Sequence, residues 1–168
     1  MIEVRAAEAR DADALGGVHA ESWKAAYGSL FQPDFTARSV ESRRERWHQR
    51  IADGVGPILL AELNHRPLAL SFSVPSSPPQ GLAEIYSFYG HPDGWGSGVG
   101  AALMAETLRV LHGDGPTDVH LWTLKSTTQS RRFYAKCGFS ESGAERAYDF
   151  GDGQVFDQVE YRRPLRSL

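Results

Sequence analysis

The run Trp95-Gly96-Ser97-Gly98-Val99-Gly100-Ala101 sets three glycines between an extended, aromatic-rich stretch and a helical one. Glycine lets a backbone turn tightly and approach a ligand with no Cβ in the way. The first amides of a helix have no intrahelical acceptor and point outward at the positive end of its dipole. Together these features suit a phosphate or diphosphate; the plainer reading is a glycine-rich connection that holds nothing. Two familiar phosphate patterns fail. A P-loop closes on Gly-Lys-Ser/Thr, whereas Ala101 follows Gly100, and a dinucleotide fingerprint belongs after the first strand of a βαβ unit, which this turn does not follow.

A second chemical feature is Glu84, which alternates with Tyr86 and Phe88 in LAEIYSFYG (82–90). A carboxylate in an otherwise apolar strand suits a proton acceptor with a raised pKa; it equally suits a solvent-facing or salt-bridged side chain. His91, in His-Pro-Asp, is the alternative base, or simply part of the turn. The single Cys137 precedes Gly138 and reads as a small hydrophobe, since no Cys/His arrangement accompanies it. It excludes an internal disulfide and a Cys-rich zinc site and fits a reducing compartment. The six His are scattered without metal-ligand spacing, so no metal is expected.

Around these residues the pattern alternates between short strands and amphipathic helices. A strand is expected at Ile2–Arg5. A helix capped by Asp11 or Asp13 runs to Tyr27 with Leu15, Val18, Ser22 and Trp23 on one face, weakened at Gly16 and Gly17 by about 1 kcal/mol each. Pro33 breaks the chain, and a second helix runs from Ser39 to about Asp53, with Val40, Trp47 and Ile51 at helical spacing. Residues 56–63 and 67–74 read as a hairpin around Asn64-His65-Arg66. The Pro/Ser-rich stretch 75–81 reads as a loop and 82–90 as a strand. A strong helix follows from about Gly98 to His112, with Met104, Leu108 and Leu111 as its stripe. Then come a strand over 119–124, a helix capped by Thr127 or Thr128 and reaching Cys137, left-handed Gly138, and two strands around 151–154. Trp23, Tyr27, Phe31 and Trp47 read as core first and acceptor pocket second. The arginines at 38, 43, 44, 46 and 50 read as a solvated helix face, or as a greeting to an acidic acceptor.

Composition bounds the rest. Over 168 residues, 18 Lys+Arg against 21 Asp+Glu give a net charge of -3, which argues against a nucleic-acid partner. The hydrophobic fraction of 41% and charged fraction of 23% belong to a globular chain rather than a disordered one. The start MIEVRAAEARDADAL lacks the apolar core of a signal peptide, and no apolar run approaches the ~20 residues of a membrane helix. A soluble cytoplasmic α/β (α+β) protein of one domain, residues 1–168, with no membrane partner, is expected.

The segment HPDGWGSGVGAALM resembles the acyl-CoA-binding motif of the GNAT superfamily of N-acetyltransferases, Gln/Arg-x-x-Gly-x-Gly/Ala after the fourth strand. Gly98 and Gly100 take the glycine positions, and Trp95 stands at the Gln/Arg position. LWTLKSTTQSRRFYAKCGF (121–139) resembles the closing motif, Asn-x-x-Ala-x-x-Phe-Tyr-x-x-x-Gly-Phe, through Phe133, Tyr134, Gly138 and Phe139. Thr127 and Ser130 replace its Asn and Ala. SWKAAY (22–27) is similar to one subgroup, so the resemblance runs through nearly the whole chain.

That resemblance implies a mixed, mostly antiparallel twisted sheet of about six or seven strands flanked by about four helices, with splayed parallel central strands at 82–90 and 117–123. By the same resemblance acetyl-CoA, as acyl-donor cosubstrate, lies in the gap. Phe88, Tyr89 and Gly90 pair with its pantetheine arm, and a backbone N–H near Tyr89 or Gly90 holds the oxyanion. Trp95, Gly96, Ser97, Gly98, Val99, Gly100 and Ala101 cradle the diphosphate, with Thr127 and Tyr134 as further contacts. Tyr134 gives the departing thiolate its proton, unless it is only a core aromatic beside Phe133. Glu84, directly or through a water, is the base. Such a base is needed because an amine of pKa ~10.4 is neutral in only roughly one molecule in two thousand at pH 7, a deficit of about 4.6 kcal/mol. The acceptor is a small-molecule or peptide amine of open identity, attacking directly in a ternary complex, and a homodimer is compatible. The other readings are a non-catalytic acyl-CoA-binding sensor and transfer of a longer acyl group.

Overall fold

The computed structural model describes residues 1–75, 81–151 and 153–165. Its elements, in chain order, are β1 (Ile2–Ala6), α1 (Ala12–Tyr27), α2 (Pro33–Asp53), β2 (Ile58–Leu63), β3 (Arg66–Pro75), β4 (Leu82–Gly90), α3 (Val99–Gly113), β5 (Asp118–Leu124), α4 (Thr128–Lys136), β6 (Ser140–Asp149) and β7 (Val155–Pro164). The strands form one seven-stranded sheet in the order β1-β2-β3-β4-β5-β7-β6. Pairs β1–β2, β2–β3, β5–β7 and β6–β7 are antiparallel, while β4 and β5 are parallel. The expected mixed sheet with flanking helices is therefore present. Its parallel ladder matches only Leu82–Glu84 with Asp118–His120.

The chain divides into two compact units, the first comprising Met1–Ser73 and Ser87–Thr107. Here Leu15, Val18 and Trp23 of α1 and Trp47 of α2 are buried, as the apolar spacing requires. Gly16 has a packing reason in addition to its cost in helix propensity: a Cβ there would lie 2.3 Å from the backbone oxygen of Arg44, so only glycine lets α2 come this close. Asp11 precedes α1 but does not cap it with its side chain. Its carboxylate accepts from the Glu8 N–H (2.7 Å) and from both terminal nitrogens of Arg5 (2.8 and 2.9 Å), because a bidentate guanidinium outbids one helix amide. Asp13 likewise turns outward to His48. The second helix opens at Pro33, six positions before the expected Ser39. Proline at the first turn lacks an N–H that would have had no acceptor, so it starts the helix instead of breaking the chain. The β2–β3 hairpin turns through Asn64 and His65, both at positive φ (50° and 68°), the pattern of a type I′ turn.

The second unit comprises Val74–Tyr86 and Leu108–Leu168. Its strands bury Ala83, Ile85, Val119, Leu121, Val159 and Tyr161. The end of α4 is a Schellman closure: the Phe139 N–H donates to Tyr134 O (3.0 Å) and the Gly138 N–H to Ala135 O (3.1 Å). Gly138 takes the expected left-handed conformation (φ 89°), and a Cβ there would sit 2.6 Å from Nη1 of Arg163. Thr127 stands at the N-cap of α4 without a side-chain cap bond. Gly151 and Gly153 of the last turn are left-handed. The loop read over 75–81 lies mostly outside the described residues; Pro75 ends β3 and Gly81 precedes β4.

Candidate active site

In the first unit, a 3-10 turn at Pro92–Gly94 leads from β4 to the glycine run. The ring Nδ1 of His91 accepts from the Asp93 N–H (3.0 Å), so this His is built into the turn. The Trp95 indole N–H donates to Gly90 O (3.0 Å), stapling the end of β4 to the turn, while the ring stays 52% exposed. Ser97 is engaged inside the turn, its N–H (3.1 Å) and Oγ–H (2.6 Å) both donating to Gly94 O. Gly96 and Gly98 have φ of 79° and 95°, where other residues are strained. The first α-helical bond runs from Ala102 N–H to Gly98 O (3.1 Å), so the amides of Val99, Gly100 and Ala101 precede it. This backbone fits a diphosphate, because left-handed glycines leave the approach open and the amides of Gly100 and Ala101 open the helix there, while the Val99 N–H donates to Ser97 Oγ (3.4 Å).

At the end of β4, Phe88, Tyr89 and Gly90 are half-buried. Tyr89 stacks on His19 with ring centroids 4.3 Å apart. The Trp47 indole N–H donates to Nδ1 of His19 (3.0 Å), which places the imidazole proton on Nε2, a buried atom with no hydrogen-bond partner among the described residues. Burial first, then the charges of Arg43, Arg46 and Arg50, push this imidazole down to about 2, so it stays neutral. Trp23, Phe31 and Trp47 are buried, which bears out the core reading, and the Arg43 guanidinium lies over the Trp23 ring at 4.3 Å. Burial raises the Tyr27 phenol well above its usual range. His19 escaped the sequence reading, although it follows Leu15 by four positions and so falls on the buried face of α1.

In the second unit, Tyr134 is buried on α4 against Phe133, Phe139 and Tyr161, with centroids 5.6, 6.1 and 6.1 Å away. Glu84 is in register with His120 on the last rung of the parallel ladder, its Oε1 3.5 Å from Nε2 of His120. Nδ1 of the same ring lies 2.6 Å from Oε2 of Glu160, whose Oε1 accepts from Ser142 Oγ at 2.6 Å. Burial pushes the Glu160 carboxyl up, but the Ser142 hydroxyl and the His120 ring outweigh it and hold the group below its ordinary value. Alternation separates the two sides of the sheet. Tyr161, in register with buried Leu121, faces Tyr134, whereas its neighbour Glu160 turns to the opposite face with His120 and Glu84. Sequence reading singled out Glu84 and Tyr134 but not His120 or Glu160, because Glu84, His120 and Glu160 lie on three strands distant along the chain.

Arg131 bonds Tyr161 Oη (3.2 Å), Lys125 O (2.7 Å) and the Glu141 carboxylate, leaving it neither a bare helix-face cation nor an obvious phosphate ligand. Burial raises the Cys137 thiol, as suits an inert side chain. The fold also collects ligand-type atoms of Glu3, Glu62 and His65 within 4.8 Å, a grouping that spacing along the chain hides; Glu62 is paired there with Arg5.

Residues 21–139 match the model of the Acetyltransferase (GNAT) family, and the chain belongs to that family, whose members are acetyl-CoA-dependent N-acetyltransferases. The fold is shared with the PaiA N-acetyltransferase of Thermoplasma acidophilum in complex with coenzyme A (TM-score 0.76, 19% identity, 98% of this chain and 99% of that one). It is shared with the ribosomal-protein-S18-alanine N-acetyltransferase of Escherichia coli (0.70, 17%, 98% and 94%). It also matches yncA of Salmonella typhimurium, solved with its cofactor acetyl-CoA (0.73, 18%, 100% and 96%). No curated protein matches the chain by sequence.

Proposed function

We propose that this chain, read as one catalytic domain over 1–168, transfers an acetyl group from acetyl-CoA to a primary amine by direct attack. The observation that carries the reading is the opening of α3, where left-handed Gly96 and Gly98 precede the amides of Gly100 and Ala101. These donors, with the Trp95-stapled turn, would hold the diphosphate, and Phe88–Gly90 would lie along the pantetheine arm. Acetyl-CoA supplies an activated thioester whose sulfur can leave. Glu84 takes a proton from the amine, and the Tyr134 hydroxyl returns one to the sulfur. Their placement on opposite faces of the sheet supports this division. In direct attack the amine arrives from one side of the carbonyl carbon and the thiol departs on another, so acid and base do not compete for one position.

Isothermal calorimetry with coenzyme A and acetyl-CoA, followed by thiol release over a panel of primary amines, tests the proposal. Micromolar binding that weakens about tenfold or more in Gly98→Val is expected, as the turn loses its left-handed residue. Absence of binding removes the reading. Binding with no thiol release over any amine makes the chain an acyl-CoA-binding module instead.

A further inference from the structure

The proposed transfer uses Glu84 but leaves the groups behind it unassigned. An acceptor amine that arrives as an ammonium must lose two protons before it is an amide, and one carboxylate holds one. The Glu84–His120–Glu160–Ser142 array bears on that second proton. Both oxygens of ionised Glu160 act as acceptors, one for the Ser142 hydroxyl and one for His120 Nδ1, which therefore carries hydrogen. Nε2 of the same ring lies 3.5 Å from Glu84 Oε1. A proton taken up at Nε2 leaves the ring flanked by carboxylates on both sides. The side chains of His120 (14% exposed), Glu84 (24%) and Glu160 (11%) are largely sheltered from water.

We propose that His120, oriented by Glu160, is the second proton store of the reaction and acts through Glu84 without touching the amine. The inference rests on the acetyltransferase reading and on Glu84 as base. The ammonium gives its first proton to Glu84, which passes it to Nε2 of His120. The neutral nitrogen forms its bond to the carbonyl carbon, and the emptied Glu84 takes the second N–H proton. The carbon–sulfur bond breaks as Tyr134 protonates the sulfur and regains a proton from water. Glu84 and His120 then give their two protons to solvent, one making good the proton that Tyr134 drew from water, so the thiol gains one proton and one is released. Among the described residues, the charged and titratable groups facing His120 are Glu84 from β4, and Glu160 with Arg162, the register partner of His120, from β7; β6 contributes the neutral Ser142 hydroxyl.

The test compares kcat/KM of His120→Gln, Glu160→Gln and Glu84→Gln over primary amines of graded basicity, from alkylamines charged at pH 7 to arylamines that arrive neutral. His120→Gln is expected to lose about tenfold or more beyond its loss with neutral amines when the amine arrives charged. That excess should shrink as pH rises toward the amine pKa. Glu160→Gln, which keeps a hydrogen-bond acceptor for the ring but removes the charge, should show the same selectivity to a smaller degree. Equal losses for charged and neutral amines in both variants assign His120 to structure and overturn the relay, as does full activity of His120→Gln. If Glu84→Gln is harmless while His120→Gln retains its selectivity, Glu84 is not the base and the relay through it falls. No thiol release by the wild type with any amine removes the acetyltransferase reading itself, and the relay with it.

Discussion

Tyr134 is packed as a core aromatic and proposed as the proton donor to the thiolate. Three aromatic neighbours hold its ring, so removing the hydroxyl should leave the ring in place and isolate the proton-donating role. Tyr134→Phe is expected to lower kcat by about ten- to a hundredfold with coenzyme A affinity unchanged, measured by thiol release and calorimetry. Equal loss of affinity would make Tyr134 a binding residue instead. Among the histidines, a single residue type takes several forms. His19 is buried and neutral, His91 is locked in a turn, and His120 lies between two carboxylates. Composition counts them alike; their neighbours separate them.

The helices and turns show the same contrast between local and long-range causes. Gly98, the Schellman end of α4 and the Asn64–His65 turn follow from chemistry within a few residues, and each was readable from the chain. Gly16 was readable only as a weak point of α1. Its reason is the Arg44 backbone oxygen on α2, twenty-eight positions away. Gly16→Ala should therefore destabilise the protein by about 2 kcal/mol, although alanine favours an isolated helix by about 1. A thermal or urea melt with a raised midpoint for this variant would contradict the close crossing of α1 and α2. The early start of α2 at Pro33 has a local cause as well, but proline signals both a break and a helix start, and the chain alone did not choose between them.

For the molecule as a whole, pH couples to folding through groups whose protonation differs between folded and unfolded chains. His19 falls from an ordinary 6.5 to about 2 on folding, so below pH 6.5 the unfolded chain binds a proton that the folded one refuses. Stability should decline by about 1.4 kcal/mol per pH unit from this residue as pH falls from 6.5 toward 4. Asp11 acts in the same direction: the Arg5 hydrogen bonds hold its carboxyl low despite burial, so its contribution is present above the ordinary carboxylate range and lost as pH falls through the folded value. Urea unfolding of His19→Gln across pH 4–7 should show a slope shallower by about one proton than wild type. Identical slopes would mean that the imidazole titrates normally in the folded state.

What the chain discloses unaided is whatever depends on neighbours in sequence: the strand–turn–helix that frames Gly96–Ala101, the alternation that sets Glu84 in a strand, and the Phe133–Tyr134 pair before Gly138. The family likeness rests on these runs, and so does most of the element order. Folding adds the partners. Glu84 meets His120 because β4 and β5 lie parallel in one register, and His120 meets Glu160 because β7 enters the sheet between β5 and β6. Strand pairing is selected by burying one face of each strand over long loops, a cooperative choice with no trace in any short window. A carboxylate can be located in its strand from sequence; the groups that face it belong to the assembled sheet.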